Sequence, residues 1–171
     1  AETTLEQLAA LKAPFRKNGV VTAGNASGVN DGAAGVLMVD GVTHAQLGVP
    51  GLRVLSVATA GCDPRRPGWG IVPAATRALA DAGVAASDLD AVECNEAFAS
   101  VQMAWMKELG VPHEKVNVQG GAIALGHPLG ATGAIRTATL LHGMRRTGGK
   151  YGMVSMCIGT GMGAAGIFES I

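Results

Sequence analysis

Two side chains able to transfer protons lie in glycine-rich segments of the sequence. His127 lies in a Gly-His-Pro turn just before a predicted helix that starts near Ala131, and Cys157 ends an apolar run that continues into Gly159. An imidazole in a rigid loop, and a thiol beside a backbone that a substrate can approach closely, can act as acid or base. The position before a helix also predicts a lowered pKa for His127, which favours a neutral ring.

Each of these side chains also has a structural interpretation. His127 could be a surface histidine beside a turn, and Cys157 could be a buried cysteine that only packs. Asn95 and Glu96 follow a short predicted strand, which puts polar side chains at the carboxyl end of a strand. For Glu96 we favour a charge stabilised by the dipole of the next helix. Cys62 lies in a Gly-Cys-Asp-Pro turn, and we predict no role for it.

The elements that must position these residues alternate regularly from residue 52 onward. Apolar runs and helical periodicity predict, in chain order, strand 52–58, helix 72–82, strand 89–93, helix 98–109, strand 116–118, helix 131–146 and strands 151–158 and 163–169. Strands that alternate with helices indicate an α/β fold. We therefore predict a layered βαβαβαββ domain over residues 49–171, with a mixed, mostly parallel sheet whose last two strands are antiparallel neighbours.

The first part of the chain has a weaker pattern. A short amphipathic helix is predicted over residues 4–11, followed by a Gly/Asn/Ser-rich turn at 24–32 and an apolar run at 34–39 that is typical of a buried strand. A lone strand cannot bury both of its faces, so we expect it to join a sheet supplied elsewhere. Residues 1–48 are therefore expected to pack on residues outside this chain or on a partner chain.

Composition excludes several classes of function. The 171 residues carry 13 Lys+Arg and 13 Asp+Glu, and this balance argues against nucleic-acid binding. No apolar run is long enough for a membrane span, and residues 1–20 do not have the layout of a signal peptide. Three widely spaced cysteines favour neither a disulfide framework nor a metal site, so we expect a cytoplasmic location. With 48% apolar and 15% charged residues, we expect an oligomer.

A dinucleotide site is also excluded. Residues 159–164 match GxGxxA, but the fingerprint needs a following helix and an acidic residue about 20 positions further on. Only seven residues follow Ala164. No cofactor of this kind is therefore predicted.

Four segments, taken together, resemble the thiolase family. They match the C-terminal half of that family and the segment that lies against coenzyme A, in this order: VTAGNASGVNDGAA (21–34), NEAF (95–98), GGAIALGHPLGATG (120–133) and CIGTGMG (157–163). The resemblance implies a thiolase-like layered fold, of which this chain forms the C-terminal βαβαβαββ half. It also implies CoA-dependent thiolysis of a 3-oxoacyl-CoA to acetyl-CoA and a shortened acyl-CoA, or the reverse Claisen condensation, through an acyl-cysteine.

The resemblance implies roles for individual residues. Cys157 corresponds to the acid/base cysteine that exchanges the α-proton of acetyl-CoA, and His127 to the histidine that activates the nucleophile and donates to the thioester oxygen. Asn95 corresponds to the residue that holds a water in that oxyanion hole, and the Gly159 N–H to a donor of a second one. Two residues correspond to positions that contact the pantetheine chain of CoA: Ser27 and Ala23. Coenzyme A and acyl-CoA are then substrates, and neither a separate cofactor nor a metal is expected.

This chain also departs from the family pattern. A complete thiolase has an N-terminal half that carries the nucleophilic cysteine, and neither Cys62 nor Cys94 lies in a matching context. We therefore expect a second polypeptide, a cleaved segment or a missing segment to supply that half, and we expect the chain to be inactive without it. Residues 62–73 depart from the usual Met-Gly-x-Gly-Pro run, so the local loop is expected to differ.

Alternatives stay open at this point. Residues 151–160 are more similar to degradative 3-ketoacyl-CoA thiolases of β-oxidation than to acetoacetyl-CoA thiolases, but a biosynthetic acetoacetyl-CoA thiolase half is the next candidate. A non-catalytic acyl-CoA-binding module would have little reason to keep Cys157, His127 and Asn95. A decarboxylating condensing enzyme of the ketoacyl synthase kind pairs two histidines with its cysteine, and only His127 lies in a suitable motif here.

Overall fold

A computed structural model describes residues 2–171. Its strands are β1 (Leu52–Gly61), β2 (Ala91–Cys94), β3 (Tyr151–Ile158) and β4 (Met162–Ser170). Its helices are α1 (Leu5–Ala9), α2 (Gly41–Leu47), α3 (Ile71–Ala82), α4 (Ala99–Leu109), α5 (Ala122–Leu125) and α6 (Thr132–Thr147), with 3-10 turns at Pro67–Gly70, Ala86–Asp88 and His113–Lys115. The predicted helices 72–82, 98–109 and 131–146 are confirmed to within one residue at each end.

The four strands form one mixed sheet in the order β1-β4-β3-β2. β2 and β3 are parallel, and β3 and β4 form the predicted antiparallel hairpin. β1 pairs antiparallel with β4 along its whole length, from Leu52 opposite Ser170 to Gly61 opposite Met162. The α/β class and the mixed sheet are confirmed, but the expectation of a mostly parallel sheet is wrong. Periodicity along the chain does not show that the first strand returns beside the last one.

The predicted strand at 116–118 is reduced to a single parallel bridge between Val116 and Val92. The extended backbone ends at Asn117, which has a left-handed φ of 49° that asparagine tolerates better than most residues. The Asn117 side chain then makes hydrogen bonds to β2 in place of a strand backbone. Its Oδ1 accepts from the Cys94 N–H at 2.9 Å, and its Nδ2 donates to the Cys94 carbonyl at 2.7 Å.

Helices cover both faces of the sheet. Met153 and Ile167 lie in the larger core with α3 and α4, while the next residue in each strand, Val154 and Phe168, packs toward α6. This alternation is what a strand buried on both faces requires. On the buried side of α3 three alanines and two larger apolar residues pack against the sheet: Ile71, Ala74, Ala75, Ala78 and Leu79.

Residues 2–48 contribute no buried side chain. The predicted first helix is confirmed as α1, whose start is fixed by reciprocal bonds between Thr4 and Gln7. The predicted strand at 34–39 is wrong for this chain, because that run is exposed coil with no neighbouring strand among the described residues. Helix α2 was not predicted; Asp40 caps it by accepting from the Thr43 N–H at 2.7 Å. None of the helices within residues 2–171 is long and apolar enough to cross a membrane.

Candidate active site

Asn95 and His127 meet at the carboxyl end of β2. The Asn95 N–H donates to the Ser155 carbonyl at 2.8 Å, which holds Asn95 beside β3 just after β2 ends. The Asn95 side chain is completely buried, and its Nδ2 lies 3.3 Å from Nε2 of His127. Two residues predicted from separate segments therefore form one hydrogen-bonded pair.

The His127 loop is fixed from both sides. The His127 N–H donates to Oδ1 of Asn30 at 3.1 Å, and Val29 forms a parallel bridge with His127. On the other side, Nδ1 of the ring lies 2.7 Å from Oγ1 of Thr132, the first residue of α6. The imidazole is held at both nitrogens, so its orientation is set before a substrate arrives.

The electrostatic environment favours a neutral His127. Burial of the ring lowers the pKa of His127, and the positive charge of Arg136 lowers it further. The direction is the one that the sequence predicted. The causes of the lowered pKa of His127 are burial of the ring and the charge of Arg136.

Cys157 lies near the end of β3, two residues after the Ser155 carbonyl that binds Asn95. It is half-buried, and burial raises the pKa of its thiol, which keeps the sulfur protonated. Gly159 follows in the exposed turn between β3 and β4. That turn needs left-handed backbone at Thr160 and Gly161. Because β2 and β3 are parallel neighbours, Asn95 and Cys157 lie at the same edge of the sheet, the one formed by the carboxyl ends of its parallel strands.

The upstream motif reaches the same edge with Ser27 but not with Ala23. The Ser27 N–H donates to the Ala97 carbonyl at 3.2 Å, and Ala26 forms an antiparallel bridge with Phe98. The residues around Ser27 therefore run beside the NEAF segment toward His127. Ala23 is exposed in the preceding turn.

Glu96 has a different role from the one expected. Its carboxylate accepts from the Ile123 N–H at 3.0 Å and from Nδ2 of Asn117 at 3.1 Å, so it binds the start of α5 rather than that of α4. A Cβ on Gly121 would overlap this carboxylate, so glycine is required there. Glu96 thus ties the NEAF segment to the glycine-rich segment that carries His127.

Sequence reasoning also missed a buried ion pair behind the site. Nη1 of Arg136 donates to Oε2 of Glu93 at 3.0 Å and to the Gly120 carbonyl at 2.9 Å, and both side chains are buried. Burial raises the pKa of Glu93, although Arg136 opposes the shift. The available signal was the spacing of α6, whose buried residues recur every fourth position: Thr132, Arg136, Leu140 and Met144.

Comparison with family models identifies this arrangement. The model described as "Thiolase, C-terminal domain" matches residues 49–170, and "Thiolase, N-terminal domain" matches residues 1–41. The chain belongs to the thiolase family. The family resemblance inferred from the four segments and the thiolase-like fold are both confirmed.

Individual thiolases match along nearly all of this chain. It is 51% identical to the 3-oxoadipyl-CoA/3-oxo-5,6-dehydrosuberyl-CoA thiolase of Escherichia coli over 99% of its own length and 43% of that protein's. It is 53% identical to the peroxisomal 3-ketoacyl-CoA thiolase B of Rattus norvegicus, over 98% of its own length and 40% of the relative's. The crystal structure of the Bacillus anthracis acetyl-CoA acetyltransferase superposes with a TM-score of 0.96 at 43% identity, covering all of this chain and 44% of that one. The chain therefore spans less than half the length of these thiolases.

Proposed function

We propose that this chain supplies the proton-transfer part of a thiolase active site that uses CoA to cleave a 3-oxoacyl-CoA. The observation that carries the proposal is the Asn95–His127 contact at the sheet edge where β3 continues to Cys157. The membership of the thiolase family supports it.

The proposed reaction begins with a cysteine of the N-terminal half of the enzyme. Nε2 of His127 takes the thiol proton, and the resulting thiolate attacks the 3-oxo carbon of the substrate. The bond between carbons 2 and 3 breaks and its electron pair moves into the enolate of acetyl-CoA. Cys157 then gives its proton to carbon 2, a step that suits a thiol whose pKa is raised by burial. The Cys157 thiolate then takes the proton of the CoA thiol, whose sulfur attacks the acyl-cysteine. The bond between the acyl carbon and the cysteine sulfur breaks, the shortened acyl-CoA leaves, and the cysteine sulfur takes back the proton held by Nε2 of His127.

Three hydrogen-bond donors are proposed to stabilise the oxyanions. In the proposal, protonated Nε2 of His127 and a water held by Asn95 stabilise the enolate oxygen, and the Gly159 N–H stabilises the oxygen of the acyl-enzyme. Ser27 and Ala23 contact the pantetheine chain of CoA. For Ser27 this fits its position beside Ala97 and Phe98.

An N-terminal thiolase half is the proposed partner, whether it is a second chain or a segment of the same one. The chain spans less than half of its relatives, and residues 36–39 expose four consecutive apolar side chains. Such a run is normally covered. The chain is therefore proposed to be inactive alone, and to work as part of a cytoplasmic oligomer.

The preferred substrate is proposed to be a degradative 3-oxoacyl-CoA, because residues 151–160 are more similar to that class. Acetoacetyl-CoA is the second candidate, and the likeness to an acetyl-CoA acetyltransferase favours it. Measuring kcat/KM for acetoacetyl-CoA and for a longer 3-oxoacyl-CoA, with the same preparation, separates the two.

The test of the proposal starts from protein purified without a tag from its own source. Native mass spectrometry is expected to find a thiolase N-terminal half with a reactive cysteine, joined to this chain or bound to it, and the preparation is expected to thiolyse a 3-oxoacyl-CoA. A preparation that contains the N-terminal half and binds CoA but neither cleaves nor forms 3-oxoacyl-CoA would contradict the proposal. That result would favour an acyl-CoA-binding module instead.

A further inference from the structure

The hydroxyl of Thr132 connects His127 to the start of α6. Its Oγ1 lies 2.7 Å from Nδ1 of His127 and 3.0 Å from the Pro128 carbonyl. Thr132 is almost completely buried, so these two atoms compete with no bulk water for the hydroxyl. The question is which of the two receives its single proton, because a carbonyl can only accept.

The polarity of the contacts gives an answer. If the hydroxyl donates to the Pro128 carbonyl, Nδ1 of His127 must carry a proton and donate it to Oγ1. The lone pair of the neutral ring is then on Nε2, where Nδ2 of Asn95 can donate into it at 3.3 Å. Every donor in the chain from Asn95 through His127 and Thr132 to Pro128 then faces an acceptor.

The opposite polarity is worse for Asn95. A hydroxyl that donates to Nδ1 would leave the proton on Nε2, and the Asn95 amide would have to turn its oxygen toward it. The Asn95 oxygen, which is buried and has no partner among residues 2–171, would exchange places with the amide nitrogen. A buried N–H without an acceptor is rarer in proteins than an under-satisfied carbonyl.

We propose that Thr132 is a positioning residue that holds the proton of neutral His127 on Nδ1 and so leaves the lone pair of the neutral ring on Nε2. The role of Nε2 in catalysis rests on the proposed function, whereas the position of the proton does not. Because Nδ1 donates to Thr132 in both the neutral and the charged ring, the imidazole keeps its position when Nε2 takes a proton. Only the contact from Asn95 Nδ2, which needs the lone pair on Nε2, is then given up. Third residues that orient a catalytic base in this way are known from other enzymes.

The direct test is the histidine tautomer, read from long-range proton–nitrogen correlation spectra of the protein labelled with nitrogen-15 in histidine. The sample is the assembly as purified, and the His127→Gln variant identifies the His127 signals. Neutral His127 is expected to be protonated on Nδ1 in the unmodified protein and in Thr132→Ser, which keeps the hydroxyl. Thr132→Val removes the hydroxyl at nearly constant shape, and we expect its neutral ring to shift toward protonation on Nε2.

Thr137→Val is the matched control. Thr137 lies on the same helix and donates to the Gly133 carbonyl at 2.8 Å, in the same way that Thr132 donates to Pro128. Its substitution removes a similar hydrogen bond without changing any contact of His127, so the proton of the neutral His127 ring is expected to stay on Nδ1. A purely structural role of Thr132 would predict equal behaviour of the two valine variants.

Protonation of His127 on Nε2 in the unmodified protein, or an unchanged tautomer in Thr132→Val, would overturn the proposal. If Thr132→Val does not fold, the unmodified protein and Thr132→Ser still decide it. In an active assembly we also expect Thr132→Val to lower kcat about 10- to 100-fold with little change in KM. Absence of thiolysis in the unmodified assembly would count against the proposed function alone, since the tautomer is measured without turnover.

Discussion

Residues 2–48 and residues 49–171 differ in whether they bury their own apolar side chains. The second region encloses its own core, with Leu89 and Trp105 completely buried between the sheet and its helices. The first region has no buried residue, and it leaves Leu37 82% exposed. Both regions are rich in apolar residues, so apolar content alone does not decide what folds. The difference is whether the chain itself supplies the opposing surface.

The largest expected effect comes from the buried ion pair of the second region. Arg136→Met leaves the Glu93 carboxylate buried without its partner, and we expect the free energy of unfolding to fall by about 3–5 kcal/mol. Arg16→Met in the exposed first region is the control, with an expected change within about 0.5 kcal/mol. Urea titrations of the unmodified protein and of both variants measure the free energy of unfolding. A loss below about 1 kcal/mol for Arg136→Met would contradict the stabilising role of the buried ion pair.

A pair of leucine substitutions compares the two regions directly. Leu89→Ala is expected to cost about 2–5 kcal/mol, because it opens a cavity in the larger core. Leu37→Ala is expected to change the free energy of unfolding by less than about 0.5 kcal/mol, since the side chain already meets solvent. Equal losses would show that residues 2–48 pack as tightly as the rest of the chain. A selective loss of partner binding in Leu37→Ala would sharpen the comparison.

The smallest expected effect is a pH dependence of stability that comes from His127. Burial lowers the pKa of His127 below its ordinary 6.5, so the unfolded chain binds more protons between the lowered value and 6.5. The resulting stabilisation is complete above 6.5 and is lost as the pH falls through the lowered native pKa. Unfolding of the unmodified protein and of His127→Gln, compared from about pH 8 to about pH 5, should differ in slope in that window. If the free energies of unfolding of the two proteins change with pH in the same way across this window, the lowered pKa of His127 would be contradicted.

The sequence alone predicted the positions of most helices and strands, but not how the strands pair. Helical spacing located α3, α4 and α6, and apolar runs located β3 and β4. Local patterns carry no information on which strands become neighbours, so the antiparallel pairing of β1 with β4 was missed. The short strand at 116–118 failed for a local reason, because Asn117 adopts a left-handed backbone and pairs through its side chain.

For the candidate site, too, the sequence indicated individual residues but not the tertiary contacts between them. The motifs pointed to His127, Asn95 and Cys157, and folding brings Asn95 within 3.3 Å of His127. The contacts that hold the site were not predicted, because the two partners are distant in sequence: Glu96 binds Ile123, and Arg136 binds Glu93. Only tertiary contacts separate such a residue from an ordinary surface charge.

The central claim is that Cys157 exchanges protons with the α-carbon of an acyl-CoA. Hydrogen–deuterium exchange of the acetyl group of acetyl-CoA, catalysed by the complete assembly in heavy water, tests it most directly. We expect Cys157→Ala to abolish the exchange and thiolysis while CoA binding is nearly unchanged, and we expect Cys62→Ala, a second half-buried cysteine, to keep the exchange. Unchanged exchange in a folded Cys157→Ala assembly would contradict the claim.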